Sequence, residues 1–336
     1  MIEFHMKKQV AFFCNQPDVI RHVYGEGRED KIRSLAHLHP KVVTADNFSI
    51  ESQALKDLEV IFSTWGMPHL EAPHLEKLPS LKAVFYAAGS VRDFAGPLLE
   101  RGITIVNASA INAQPTALFA FSQIILSLKG FFRNQREFIG PNHHASSWRA
   151  SGLYQTTIAI LGFGQVGQLV LGHLRRLPLK VLVVSPFTDA SFIRSLGAEK
   201  VDLADAFARS MVVSNHIADL PETRGILNHD LFSSLLPGAT FINTGRGRTV
   251  CEKDLIQVFS KRTDLTALLD VTYPEPPLQG SPLYSLPNVL LSSHIAGSIG
   301  NEVFQMADGI ISEFESWLSG RPLRFSVTKS MLNTMA

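Results

Sequence analysis

Thr157-Ile158-Ala159-Ile160-Leu161-Gly162-Phe163-Gly164-Gln165-Val166-Gly167 is the stretch on which the fold turns. A β-branched, apolar run stops at a glycine. Two more glycines follow at the spacing G-x-G-x-x-G, and an amphipathic stretch (168–177) begins behind them. Each glycine has a physical task. Gly162 permits the tight turn off a strand. Gly164 lacks a Cβ, so a pyrophosphate can approach the backbone. Gly167 lets the helix lie close to the strand. The helix starting near Gln165 and Val166 points unpaired N–H groups and its positive dipole end at that phosphate. Strand, turn and helix fall in the order a dinucleotide site requires.

Composition sets the frame. The 336 residues suit two domains, and 45% hydrophobic with 18% charged residues describes a globular chain with a large buried fraction. A net charge of +1 gives no electrostatic reason to bind nucleic acid or an anionic membrane. Cys14 and Cys251 stand far apart and read as reduced thiols of a cytoplasmic protein. Residues 1–10 mix charged and apolar side chains without a signal-peptide pattern. Residues 115–132 approach the length of a membrane span, but they lack a one-sided basic flank and read as a buried helix.

Around the glycine motif the chain alternates short apolar runs with helical spacing. Strands are expected at 9–14, 59–63, 82–86 and 103–106, with helices at 70–78 and 91–101 between them. Residues 140–152, including His143, His144 and Trp148, read as a loop. Six further strands are expected at 157–161, 180–184, 211–214, 239–242, 265–269 and 289–292. Such alternation implies parallel sheets covered on both faces. A last amphipathic helix, about 300–318, stops before Gly320. It has no strand left to serve in the middle domain, so it should return to the first.

The expected fold is therefore α/β with two doubly wound parallel-sheet domains. A Rossmann cofactor domain at 109–297 is inserted into a flavodoxin-like substrate domain at 1–108 with 298–336, and a cleft should lie between them.

Three later stretches carry chemistry: Asn243-Thr244-Gly245-Arg246-Gly247, Asp270-Val271-Thr272-Tyr273-Pro274-Glu275-Pro276, and Ser292-Ser293-His294-Ile295-Ala296-Gly297. Each follows a strand of the same sheet. Ligands of open α/β sheets bind beyond the carboxyl ends of the strands, so Arg246, Glu275 and His294 can converge there. Singly each is an ordinary surface arginine, loop glutamate or polar histidine. Together, behind three strands of one nucleotide sheet, they point to a site.

With these four motifs in this order, the chain resembles the D-isomer-specific 2-hydroxyacid dehydrogenases from about residue 81 to 297. The resemblance implies hydride transfer between NAD(P) and a small 2-keto or D-2-hydroxy acid, with Arg246, Glu275 and His294 as the catalytic set. Imidazole suits proton donation to the substrate oxygen, because it titrates near neutrality. Glu275 would orient the ring, and Arg246 would fork onto the substrate carboxylate. Gly89 and Ser90, in the Ala87-Ala88-Gly89-Ser90 turn, match the family loop that holds this carboxylate, although a plain strand-to-helix turn reads almost as well. Asp270 would contact the nicotinamide side or simply cap a loop. Ile217, Ala218 and Thr223 match the border of the cofactor ribose and phosphate, with Ala218 in place of the usual proline. Thr244, Gly245 and Ala296 complete the expected cofactor contacts. The family dimerises through its nucleotide domain, so a homodimer burying 115–132 and Phe131-Phe132 is expected.

Two departures bear on specificity. Thr116-Ala117-Leu118 stands where the family often has Val-Ala-Glu. At the end of the second nucleotide-domain strand, Ser185-Pro186-Phe187 replaces the usual acidic residue that binds the adenine ribose. Ser185 neither repels a 2′-phosphate nor has a cation beside it in sequence. Neither cofactor is strongly selected, with a small lean to NAD and measurable NADPH use. No metal is expected: His143-His144 has no further ligand at matching spacing, and His37, His39, His69 and His74 read as surface positions. Two other functions share this pattern: a dinucleotide-sensing regulator without turnover, and a dehydrogenase of formate or phosphonate.

Overall fold

The computed structural model describes residues 7–144 and 149–333; Trp148 and both chain ends lie outside the described residues. Two compact units are present. One combines the residues up to Asn112 with those from Ser298 onward, and the other is Ala113–Gly297.

In the first unit the strands are β1 (Gln9–Phe13), β2 (His37–Leu38), β3 (Val60–Ser63), β4 (Ala83–Tyr86) and β5 (Thr104–Asn107). They pair in parallel in the order β2-β1-β3-β4-β5. Apolar residues on successive positions serve opposite faces. Ala11 and Phe13 enter one core cluster, Val10 and Phe12 the other. Sequence reading misses β2, which has two residues, one exposed and one half-buried, and so lacks an apolar run.

The helix Glu302–Leu318 packs its buried stripe of Val303, Met306, Ala307, Ile310, Ile311 and Phe314 into the second of these clusters. Phe314 meets Phe62 edge-on at 5.0 Å. Behind it, Phe325 accepts the Asn107 N–H, and the Glu313 carboxylate, 1% exposed, binds Arg324 Nε at 2.8 Å. The last helix thus serves the first sheet.

The second unit holds β6 (Thr157–Leu161), β7 (Lys180–Val184), β8 (Glu199–Lys200), β9 (Val212–Asn215), β10 (Thr240–Asn243), β11 (Thr266–Leu269) and β12 (Val289–Leu291). All are parallel in the order β12-β11-β10-β9-β6-β7-β8. Strand order therefore reverses between β6 and β9, which places a ligand crevice at their carboxyl ends. Among the described residues this sheet has seven strands rather than the expected six, because β8 is a two-residue exposed edge strand with no hydrophobic signal.

The apolar segment expected at 115–132 differs at both ends. Its helix runs Ser109–Leu128, with Pro115 inside it. The start is set where Asn107 Oδ1 accepts the Ser109 hydroxyl at 3.0 Å, and the stop where Gly130 adopts φ +68°. Ala117, Ala120, Ile124 and Leu128 pack onto Ile158 and Ile160 of β6. No single helix among the described residues is long and apolar enough to cross a membrane; this one and Phe131–Glu137 qualify only together, across a 54° bend.

Candidate active site

The first turn of the site is built by the glycines. Gly162 sits at φ +84°, and a Cβ there would lie 2.7 Å from the His216 carbonyl oxygen, so the turn after β9 rests directly on it. A Cβ on Gly167 would overlap the Gly162 carbonyl, which fixes the helix Gln165–Leu174 against its own strand. Gly164 differs: its Cβ would meet no atom within 4 Å. It leads the helix, whose first N–H groups, at Gln165, Val166 and Gly167, have no helical carbonyl ahead of them. Open space beside a helix N-terminus and a residue without a side chain fit a dinucleotide pyrophosphate.

Around this turn, buried amides lock the neighbouring loops. Asn215 Nδ2 donates to Asn243 Oδ1 (3.0 Å) and Thr249 Oγ1 (2.9 Å). Asn215 Oδ1 accepts the Ile217 N–H, and Asn243 Oδ1 accepts the Gly245 N–H, each at 3.1 Å. Thr223 Oγ1 donates to the Ala218 carbonyl at 2.6 Å, closing the same loop on itself. His216 bridges Ser214 Oγ (3.0 Å) and Thr244 Oγ1 (3.1 Å), and desolvation pushes its pKa down to about 4. Sequence reading gave Asn215, His216, Asn243 and Thr249 no role. Their available signal was polar residues clustered at the ends of β9 and β10.

Arg246 follows β10, with one guanidinium nitrogen donating to the Gly245 carbonyl at 2.8 Å. Its neighbour Gly247 is obligatory: a Cβ would overlap the Thr272 backbone. This contact seats the arginine turn against the segment that leads to Glu275. Nearby, the Arg248 guanidinium stacks over the Tyr273 ring at 3.9 Å, and Asp219 pairs with Arg224 at 2.7 Å and Arg248 at 3.7 Å.

His294 and Glu275 are brought together. His294 Nδ1 lies 2.6 Å from Glu275 Oε1, and both side chains are half-exposed (51% and 40%). A carboxylate only accepts, so Nδ1 carries the proton and Nε2 remains for chemistry. His294 sits at φ +59°, a region that side chains other than glycine rarely occupy. Asp270 holds it there. Its carbonyl accepts the His294 N–H at 2.9 Å. Its carboxylate, on a residue only 2% exposed, accepts from Ser292 Oγ (2.6 Å), Ile295 N (2.9 Å) and Ala296 N (3.0 Å). The Asp270 carboxylate thus clamps the loop that carries His294.

Gly89 and Ser90 stand after β4, half-buried, with the Gly89 carbonyl accepting Asn107 Nδ2 at 2.8 Å and Ser90 Oγ accepting the Arg92 N–H at 3.4 Å. Ser185 is 6% exposed, and its hydroxyl lies 2.9 Å from Thr188 Oγ1. No Arg or Lys adjoins Ser185 in sequence, yet pairing of β7 with β8 brings Lys200 alongside, and its Nζ donates to the Thr188 carbonyl at 2.7 Å. Two histidines read as surface positions are instead half-buried: His39 Nε2 lies 3.2 Å from Glu51 Oε2, and His74 packs edge-on against Phe48. Among the described residues no cluster of three or more His, Cys, Asp or Glu is placed to hold a metal.

Comparison with known proteins agrees with this architecture. The family model of the D-isomer specific 2-hydroxyacid dehydrogenase, NAD binding domain, matches residues 119–296. The chain belongs to that family. Within it, a D-3-phosphoglycerate dehydrogenase of Archaeoglobus fulgidus is 27% identical over 228 residues, covering 68% of this chain and 43% of that protein. The chain thus spans less than half the length of the phosphoglycerate dehydrogenases it matches. A glyoxylate reductase of Korarchaeum cryptofilum is 25% identical over 274 residues, covering 80% of this chain and 82% of that protein. Among solved structures, apo D-mandelate dehydrogenase of Rhodotorula graminis shares the fold with a TM-score of 0.78 at 22% identity, covering 96% of this chain and 98% of that one. Family members of this kind act on small 2-hydroxy or 2-keto acids, and the matched domain is an NAD-binding one.

Proposed function

We propose that this chain is an NAD(P)-dependent D-2-hydroxyacid dehydrogenase that interconverts a small 2-keto acid and the matching D-2-hydroxy acid. The observation that carries this reading is the 2.6 Å contact between Glu275 and His294 on loops at the carboxyl edge of the nucleotide sheet. The cofactor, when bound, supplies the hydride that reaches C2. In the reductive direction, His294 Nε2 gives its proton to the substrate oxygen as that hydride arrives, and Glu275 stabilises the imidazolium beforehand. Arg246 binds the carboxylate and polarises the ketone. Gly162, Gly164, Gln165, Val166 and Gly167 would cradle the pyrophosphate. Ile217, Ala218 and Thr223 would border the cofactor ribose and phosphate, Asp270 the nicotinamide side and Ser185 the adenine ribose, with Thr244, Gly245 and Ala296 as further cofactor contacts. Gly89 and Ser90 are proposed as substrate contacts on the family loop they match. Ser185 carries no charge, so neither NAD nor NADP is repelled.

We also infer a homodimer and a cytoplasmic setting. Leu118 and Leu126 on the helix Ser109–Leu128, Phe131 on the helix Phe131–Glu137, and Phe138 and Ile139 just after it remain exposed, an apolar surface suited to a two-fold partner. Both cysteines are free thiols, as a reducing compartment allows.

A panel of 2-keto acids assayed with NADH and NADPH tests the main reading. Reduction of glyoxylate, pyruvate, hydroxypyruvate or an aromatic 2-keto acid supports it. Tight cofactor binding with no turnover across the panel overturns it in favour of a dinucleotide sensor.

A further inference from the structure

The sequence places no cation beside Ser185, and the fold supplies one. β7 ends at Val184, and β8 pairs with it so that Val183 faces Lys200. Lys200 Nζ then reaches the carbonyl of Thr188 at 2.7 Å, while the Thr188 hydroxyl meets Ser185 Oγ at 2.9 Å. Two hydroxyls of the loop that follows the second strand of the nucleotide sheet and an ammonium from β8 therefore gather in one place. In this fold that loop receives the ribose next to adenine, and the group found there decides between a 2′-hydroxyl and a 2′-phosphate.

The local charges carry no net negative field against an anion. From Ser185 through Thr188 there is no carboxylate. Glu199, the other residue of β8, has both oxygens bound by Arg209, at 3.0 and 2.8 Å, so its charge is paired. Asp189 is the one acidic residue of the loop, exposed at the start of the helix Ala190–Ser195. Lys200 opposes it. The ammonium has three protons, and the Thr188 carbonyl takes one. Phe187, 74% exposed on the same loop, offers an aromatic face to a purine.

Resting on the cofactor reading above, we propose that Lys200, with the Ser185 and Thr188 hydroxyls, is the recognition point for the 2′-phosphate of NADP(H), so that this chain takes the phosphorylated cofactor. Lys200 acts as a point charge on a flexible stem, which suits a phosphate at the exposed edge of a sheet. The fixed hydroxyls then supply the directional contacts.

Calorimetric titration of the full chain with NADP⁺ and with NAD⁺ tests this without recourse to turnover. Lys200→Ala is expected to weaken NADP⁺ binding about tenfold, the scale of one charge-assisted contact, and to leave NAD⁺ unchanged. Lys200→Arg should retain the wild-type ratio. Added salt should narrow the gap between the two cofactors in the wild type more than in Lys200→Ala. If Lys200→Ala weakens both cofactors equally, or neither, Lys200 is not at the 2′-phosphate and the proposal falls while the cofactor reading stands. If the wild type binds neither cofactor, the cofactor reading falls and this proposal with it.

Discussion

Glu275 Oε1 and His294 Nδ1 stand 2.6 Å apart, on loops that leave two neighbouring parallel strands, β11 and β12. The contact selects the tautomer with the proton on Nδ1 and aims Nε2 away from the glutamate. The histidine backbone is simultaneously held at φ +59°, so both ring and chain are constrained.

Removing the ring should remove the proton donor. His294→Ala is expected to lower kcat by about 10²–10⁴ and leave the cofactor dissociation constant nearly unchanged. Glu275→Gln keeps the shape but not the charge, and should lower kcat less than His294→Ala does. Steady-state rates between about pH 5 and 9, paired with cofactor titrations, read both. Unaltered turnover in His294→Ala would exclude it as the donor.

Asp270 acts at a different level. Its carboxylate accepts three hydrogen bonds from the loop that carries His294. Asp270→Asn places an amide against at least one of those donors, and a buried bond to a charged group is worth about 1.5–3 kcal/mol. A fall of that size in urea-unfolding stability is expected, with a lower kcat. A variant as stable as the wild type would show that the three bonds are energetically idle.

Gly247 is expected to be intolerant for a steric reason. Any Cβ overlaps Thr272, whose backbone cannot swing aside as a flexible side chain could. Gly247→Ala should cost at least about 1–3 kcal/mol, the range for overpacking, and should displace the segment leading to Glu275. Gly164→Ala makes the contrast, since a Cβ there meets nothing within 4 Å. It should spare stability and weaken cofactor binding. Equal stability loss in both variants would contradict this division of roles.

His216 gives a pH signature. Its pKa in the folded chain is about 4, against an ordinary value of 6.5, so the unfolded chain binds a proton that the folded chain refuses between those limits. Stability should therefore be fully present above about pH 6.5 and should be lost progressively as pH falls toward 4. Urea midpoints measured across that window in the wild type and in His216→Asn would test it. The variant should show a shallower dependence; an identical slope would assign the acid sensitivity to other groups.

The sequence by itself determined the α/β architecture, the nucleotide turn and the residues of the three later motifs. It could do so because those features are local: a strand, a glycine spacing and a following helix are set by neighbours in the chain. The edge strands β2 and β8 escaped it, since two residues at a solvated edge carry no hydrophobic period. The helix Ser109–Leu128 was misplaced because Pro115 reads as a start, whereas the Asn107–Ser109 contact and the packing of Ile111 extend it upstream. Only tertiary structure decided the rest. Asp270 clamps His294, Asn215 ties β9 to β10, Gly247 rests on Thr272, and Lys200 reaches Thr188. Each of these joins residues that the order and register of parallel strands bring together, and adjacency across a sheet leaves no trace in one strand's own sequence.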